Sequence, residues 1–325
     1  MAVTGYDLIG DVHGCGRTLE HLLDTLGYRQ HQGCYRHPRR QAIFIGDIVD
    51  RGNRVRESLA IVRAMVERGA AQIVIGNHEY NAIAYHATDG SGGYLRDHGP
   101  RHERQIRETL QQFAHHGAEW ASYLAWFRTL PLYLDLGRFR VIHACWDQQL
   151  IDRLQREAII DFSDEQFLAR SAQRNSFEWQ VADRLLRGTH LQLPDGEVML
   201  SAEGFRRHVY RTKFWQADAR VHGELVFQPD PLPEHIAARP LSDAERQQLL
   251  HYGRDQPPLF IGHYWRQGPP EPITANICCL DYSAVKNGKL VAYRLDGEAR
   301  LNAAHFVWVP VEPGDLPDEE RQRAC

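Results

Sequence analysis

The sequence predicts an α/β fold whose first quarter runs β-α-β-α-β, and two observations carry that expectation. Three short apolar runs, YDLI, AIFI and QIVI, are rich in residues that pack on a pleated sheet and are short enough for buried strands. Between them, GRTLEHLLDTLGY and RVRESLAIVRAMVERG carry apolar residues at helical spacing, each ending near a glycine suited to a left-handed cap. A polar string follows each strand at once: GDVHG at Gly10 to Gly14, GDIVDRG at Gly46 to Gly52, and GNHE at Gly76 to Glu79. In open α/β sheets the carboxyl ends of the strands face the crevice where ligands bind. Three such ends converging make one site.

The first string offers Asp11 and His13, one residue apart, which an extended strand end points the same way. Both can grip one cation. Asp47 in the second string has two carboxylate oxygens and can bridge that ion to another, to which Asn77 offers an amide oxygen. Further along, FRVIHACWD and PLFIGHYWRQG repeat the pattern of an apolar strand followed by a ligand, placing His143 and His263 on the second ion. The expected set is Asp11, His13 and Asp47 on one metal, and Asp47, Asn77, His143 and His263 on the other. Two divalent cations less two aspartates leave a net charge of about +2, which suits a phosphate dianion. Metals about 3.5–4 Å apart can share a hydroxide whose parent water has a pKa lowered toward about 7. Mixed imidazole and carboxylate ligands favour manganese first, with iron, zinc, cobalt or nickel also suited, over magnesium or calcium.

The remaining motif residues take roles around that pair. His78 adjoins ligand Asn77 and is the expected general acid for a leaving alkoxide, oriented by Asp50 on its far nitrogen. Arg51 carries a fork of donors that fits two phosphate oxygens.

These residues resemble the calcineurin-like metallophosphoesterases, and within them the phosphoprotein phosphatase branch that also holds bacterial diadenosine tetraphosphatases. The match is continuous in kind through Glu79 and persists at His143 and His263. It implies a two-sheet α/β sandwich flanked by helices, with a dimetal site at one edge and the same ligand roles. Two departures matter. The last ligand string is GHYW, with Trp265 where other branches carry a second histidine, and the fifth is HACW rather than HGG, with Ala144 and Cys145 after His143. The first departure favours the phosphatase branch.

One elaborated domain is expected over residues 1–310, with insertions at about 80–134 and 148–258 that build the substrate cleft, and a tail over 311–325. The first insertion holds a loop, DGSGGYLRDHGPRHERQ, and helical QIRETLQQF and EWASYLAWFRTL. Its histidines, His86, His98, His102, His115 and His116, lack ligand spacing and are expected to bind no metal. In the second, EGFRRHVYRTKFWQ interleaves Arg206, Arg207, Arg211 and Lys213 with Phe205, Tyr210, Phe214 and Trp215. The plain interpretation is a strand with buried aromatics and solvated arginines. The functional one makes Arg211 a second phosphate-binding arginine. ICCLDYSAVKNGKLVAYRLDGE suggests a hairpin turning at Asn287 and Gly288, followed by the strand HFVWVPVE.

Composition bounds the rest. With 325 residues, 43% hydrophobic and 25% charged, the chain is an ordinary globular protein with ample core. It contains no apolar run long enough to span a membrane and no recognisable secretory signal, so a cytoplasmic location is expected. The six cysteines show no paired spacing. A net charge of −4 argues against generic nucleic-acid binding. The expected activity is metal-dependent hydrolysis of a phosphomonoester or phosphoprotein by a dimetal-bound hydroxide, with a nucleotide or other small phosphorylated molecule as the wider substrate class. Symmetrical hydrolysis of dinucleoside tetraphosphate is the alternative. A catalytically dead scaffold would have lost ligands, and none of Asp11, His13, Asp47, Asn77, His78, His143 and His263 is missing.

Overall fold

A computed structural model describes residues 3–200, 206–227, 231–286 and 288–317. The chain opens with β1 (Gly5–Ile9) and α1 (Gly16–Leu26), a small hairpin of β2 (Arg29–His31) and β3 (Cys34–Arg36), then β4 (Arg40–Phe44), α2 (Val55–Glu67) and β5 (Ala71–Ile73). Strands β1, β4 and β5 pair in parallel, in the expected β-α-β-α-β order. Helix α1 buries Leu19, Leu22, Leu23 and Leu26 on one face and ends at Gly27, whose φ of 90° lies in the left-handed region.

Helices α3 (Asn77–His86), α4 (Pro100–Phe113) and α5 (Gly117–Arg128) fill the first expected insertion and lead to β6 (Tyr133–Asp135) and β7 (Arg140–Ile142). The second excursion carries α6 (Gln148–Arg156), α7 (Glu165–Ser171), α8 (Phe177–Arg187), β8 (Thr189–Gln192), β9 (Met199–Leu200), β10 (Arg206–Arg207), β11 (Val209–Thr212), α9 (His222–Leu225), α10 (Glu234–Ala237) and α11 (Asp243–Gln248). Part of it has a small core of its own, in which Leu191, Tyr210, Leu225, Ile236 and Leu241 are buried. Strands β12 (Leu259–Ile261), β13 (Ile277–Cys279), β14 (Lys289–Leu295) and β15 (Phe306–Pro310) complete the chain.

Two sheets dominate, ordered β15-β14-β1-β4-β5 and β13-β12-β7-β6. Leu8, Ile43, Val291 and Tyr293 of the first meet Val141, Phe260 and Cys278 of the second in one buried cluster, and helices cover the outer face of the first. This is the expected two-sheet sandwich. The segment read as a hairpin at Asn287 is different: β13 belongs to the second sheet and β14 to the first, while Asn287 lies outside the described residues. Both faces of β13 are buried, so it joins β12 in the interior and the chain crosses between sheets before β14 pairs antiparallel with β1 and β15. Asp315, beyond β15, is buried and accepts from Thr18 of α1 through both its N–H and its hydroxyl. Among the described residues, no helix is long and apolar enough to cross a membrane.

Two carboxylates organise the first sheet from opposite ends. Asp7, fully buried in β1, accepts from Arg40 Nε, Arg294 Nε and the Tyr28 hydroxyl. At the other end, Glu79 receives the N–H groups of Asp47, Ile48, Val49 and Gly76 at 2.8–3.2 Å. Burial and the adjacent Asp47 push the Glu79 carboxyl up, and those donors oppose the shift. Gly76 permits the approach: a Cβ there would lie 2.3 Å from Asp47 N.

Two stability predictions follow from these anchors. Asp7→Ala strands two arginines and is expected to cost about 3 kcal/mol in urea unfolding; a loss below about 1 kcal/mol would show that the network is incidental. Glu79→Gln replaces one acceptor oxygen with donors facing backbone N–H groups and is expected to cost about 3 kcal/mol under the same conditions, measured in chelator so that metal does not contribute.

Candidate metal centre

Every predicted ligand sits just beyond a strand end. β1 delivers Asp11 and His13, β4 delivers Asp47, β5 runs into Asn77 at the first turn of α3, β7 delivers His143 and β12 delivers His263. Asp47 Oδ2 is the hub: His143 Nε2 lies 3.4 Å from it, His13 Nε2 3.6 Å and His78 Nε2 4.0 Å. Asn77 Oδ1 sits 3.1 Å from His143 Nε2 and 2.6 Å from His263 Nδ1. Two groups of potential ligand atoms result, His13 with Asp47 and His78, and Asp47 with His143 and His263, each within 4.8 Å. Asp11 is in neither group. It lies alongside, with Oδ2 accepting the His263 N–H at 3.2 Å and Oδ1 pressed against Gly262, where a Cβ would stand 2.1 Å away.

The backbone is strained to achieve this convergence. His13, Asp47, Asp50, Arg51 and His263 all have φ between 46° and 70°, half of the ten described non-glycine residues in that region. Such conformations cost of order 1 kcal/mol or more each and persist where the surroundings over-determine them. Here they turn side chains back over the strand ends.

The donor set fits divalent cations on three observations. Asp11 Oδ1 and His263 Nε2 are buried with no hydrogen-bond partner, an arrangement that is costly unless a ligand is bound. Burial first, and then neighbouring positive groups, hold His13 and His263 well below the usual histidine range, leaving neutral imidazoles with free lone pairs. Burial acts against charge on Asp47 and His143 as well, yet each overrides it for the other: the histidines hold Asp47 well below the carboxylate range and Asp47 lifts His143 to about 10. Positive charge is thus favoured at the hub. Asp11 is pushed up, by burial and then by Asp281 and Asp47.

His78 is placed differently from the other imidazoles. Its Nδ1 is 2.6 Å from Asp50 Oδ2, the expected orienting contact, while Arg51 Nη2 approaches Nε2 at 3.3 Å. Arg211 of β11 comes to the opposite side, donating from Nη1 to the His263 carbonyl at 3.3 Å and lying over the Tyr264 ring. Tyr210 and Phe214 on either side of it are buried, as the plain strand interpretation expects, but the Arg211 guanidinium turns inward. Phe205 lies outside the described residues.

Several residues escaped sequence reasoning. Thr109 of α4 donates to Asp50 Oδ1 at 2.5 Å and accepts the Asp50 N–H, and Gln112, one turn on, bonds Gly52 O and Val55 N. The first insertion therefore stitches down the loop that carries Asp50 and Arg51. Nothing in QIRETLQQF marks these two positions except that they share a helix face. Asp281, beyond β13, is a buried carboxylate that Asp11 senses. Its signal was the strand-then-acid pattern of ICCLD, the same pattern that marked the candidate ligands.

The described architecture has counterparts. A family model described as calcineurin-like phosphoesterase matches residues 6–212. The chain is 46% identical over 74 residues to an asymmetrical bis(5'-nucleosyl)-tetraphosphatase PrpE of Halalkalibacterium halodurans, a stretch covering 22% of this chain and 30% of that protein. The same-named protein of Oceanobacillus iheyensis is 34% identical over 154 residues, 45% of this chain and 58% of the relative. These matches span 30% and 58% of the relatives' length. A symmetrical bis(5'-nucleosyl)-tetraphosphatase of Aromatoleum aromaticum is 27% identical over 299 residues, covering 89% of this chain and 92% of that one. Among solved structures, a protein serine/threonine phosphatase from Saccharomyces cerevisiae superposes with a TM-score of 0.51 at 15% identity, over 97% of this chain and 82% of that chain, a likeness of fold. With more than half of its length matched by the family model and the ligand-bearing strand ends in place, the chain belongs to the calcineurin-like phosphoesterase family.

Proposed function

We propose that this chain is a hydrolase of phosphate esters working with two divalent cations, one held by Asp11, His13 and Asp47 and the other by Asp47, Asn77, His143 and His263. The observation that carries this reading is the Asp47 carboxylate, set within 3.4–4.0 Å of imidazoles on both sides. Manganese suits the mixed oxygen and nitrogen donors first, with iron, zinc, cobalt or nickel also suited. When bound, the cations would supply Lewis-acid charge and acidify a water to a nucleophile at neutral pH.

The chain's own residues supply the rest. Arg51 and Arg211 approach the site from opposite sides and would clamp the oxygens of the scissile phosphate. Arg51 rests on His78 Nε2, so its transfer to phosphate frees that nitrogen to carry the proton given to the leaving oxygen. Asp50 holds the other nitrogen, and Thr109 holds Asp50. This fixes the ring before the proton moves.

The first substrate class is a phosphomonoester or phosphoprotein. A dinucleoside tetraphosphate is the second reading, favoured by the near full-length similarity to the symmetrical tetraphosphatase of Aromatoleum aromaticum. A cytoplasmic setting accords with the five described cysteines, all buried and free.

Hydrolysis of an aryl phosphate, a phosphoserine peptide and diadenosine tetraphosphate in parallel, with added manganese, separates the readings. Preference for the peptide or aryl ester supports the first, and preference for the dinucleotide with diphosphate products supports the second. Asp47→Asn is expected to lower bound manganese from about two equivalents to one or fewer by elemental analysis, since both ions lose a ligand; retention of two would remove Asp47 from the bridge. His78→Asn should retain metal but slow an alkyl phosphate about 10²–10⁴-fold and an activated aryl phosphate far less. Equal losses would count against an acid role.

A further inference from the structure

Positive charge around the site exceeds what one phosphate needs. Beyond Arg51 and Arg211, two more guanidinium groups gather on the side of the site that carries His78 and Asp50. Asn81 lies one helical turn past Asn77 and His78 on α3, and Arg187, at the last position of α8, donates to its Oδ1 at 2.8 Å. The Arg187 guanidinium also lies over the Tyr80 ring at 5.3 Å. Arg96, in the loop before α4, is anchored by its N–H to Ala84 O of α3 and donates from Nη2 to Gln105 Oε1 at 2.7 Å. Each arginine thus has a neutral amide oxygen as its hydrogen-bond partner.

The nearby carboxylates are shared with other partners. Asp50 is taken by His78 and Thr109. Asp97 accepts the Gly99 N–H and faces His102 at 3.2 Å. Asp183 is 3.9 Å from Arg187 and is shared electrostatically with Arg174, Arg184 and Arg211. Burial, then the positive charges of Arg187 and Arg101, pushes Arg96 down to about 10, against the smaller opposing pull of Asp97 and Asp50. Half-buried guanidinium groups held by amide oxygens, with donors to spare, are suited to an anion.

We propose that Arg96 and Arg187, steadied by Gln105 and Asn81, form a second phosphate subsite on the leaving-group side, so that the substrate carries a further phosphate beyond the scissile one. The side is set by His78, so the proposal rests on the reading of His78 as the group facing the leaving oxygen, and it deepens the second of the two substrate readings, the dinucleotide, over the first. A phosphate joined through the leaving group would occupy this second place while the scissile one lies at the metal-ligand cluster. Water adds to the scissile phosphorus, the bond to the leaving oxygen breaks, and the product released toward Arg96 and Arg187 bears its own phosphate. A nucleoside polyphosphate or a dinucleoside polyphosphate has this form, whereas a phosphoserine peptide or a simple aryl phosphate has nothing to place there.

The test compares wild type, Arg96→Gln, Arg187→Gln and the double variant, with exposed Arg29→Gln as a charge-loss control. The ratio of kcat/KM for diadenosine tetraphosphate to that for an aryl phosphate is expected to fall about tenfold for each single variant, the loss of a charge-assisted contact made only by the longer substrate. The Arg29 variant should keep the wild-type ratio. Equal loss on both substrates, or a ratio within twofold of wild type, would overturn the subsite while leaving the phosphatase reading intact. Calorimetry with inorganic diphosphate and orthophosphate on the manganese-loaded proteins gives a readout that needs no turnover and detects misfolded variants through their orthophosphate binding. Wild type should bind diphosphate about tenfold more tightly than orthophosphate, with the advantage lost in both single variants. Arg187→Lys should recover part of it. Equal binding in wild type overturns the proposal, as does uptake of two orthophosphate ions with the second lost on removing Arg96 and Arg187, since that would assign the place to a free ion. Inactivity of wild type on every ester, with diphosphate still preferred, would instead strike at the phosphatase reading alone.

Discussion

One buried carboxylate governs the geometry of the site. Glu79 gathers N–H groups from Asp47, Ile48, Val49 and Gly76, tying the loop after β4 to the start of α3. Asp47 N belongs to this clamp, and Asp47 Oδ1 in turn accepts the His78 N–H at 2.8 Å. With the backbone held from one side and Oδ1 from the other, Oδ2 is left to face His13, His78 and His143. Asp47, which stands between both halves of the site, is therefore aimed by a neighbour that is not itself a candidate ligand. A clamp of this kind also explains how Asp47 can be held at a φ of 53°: the donors satisfied by Glu79 offset the cost of the turn.

A second layer of support comes from the insertion between β5 and β6. Helix α4 sends Thr109 to Asp50 and Gln112 to both ends of the adjoining loop, so the segment carrying Asp50 and Arg51 is bonded to a helix some sixty residues away in the chain. Asp50 and Arg51 both have positive φ, and the helix is what holds them there. The insertion expected to shape a cleft also builds the support for the proposed acid.

The other excursion contributes charge. Strand β11 brings Arg211 to His263, and α8 brings Arg187 to Asn81, so the two arginines arrive from the same stretch of chain on different elements. Between them lies His190, whose imidazole is driven down to about 3 by burial and by Arg211, Arg184 and Arg187. The guanidinium groups around this imidazole gather positive charge on one wall of the site, with Asp183, 3.9 Å from both Arg187 and His190, as the carboxylate among them.

The placement of the candidate ligand strings was legible because they are local. An apolar strand followed at once by Asp, Asn or His places its ligand at the strand end whatever the rest of the chain does, and parallel pairing of β1, β4 and β5 then brings three such ends together. His143 and His263 followed by the same rule, and so would Asp281 have done. What the strings did not contain were the long-range partners. Thr109 looks like any other residue on a helix face, Arg96 and Arg187 look like solvated arginines, and ICC with KLVAYRL looks like a hairpin until both faces of β13 are seen to be buried in the opposite sheet. Sequence by itself determined which atoms could hold cations, because ligand chemistry is a property of residue type and local spacing. Only the tertiary structure decided which carboxylates and arginines stand beside them, because that depends on contacts between elements distant in the chain, whose sum of small energies no single segment encodes.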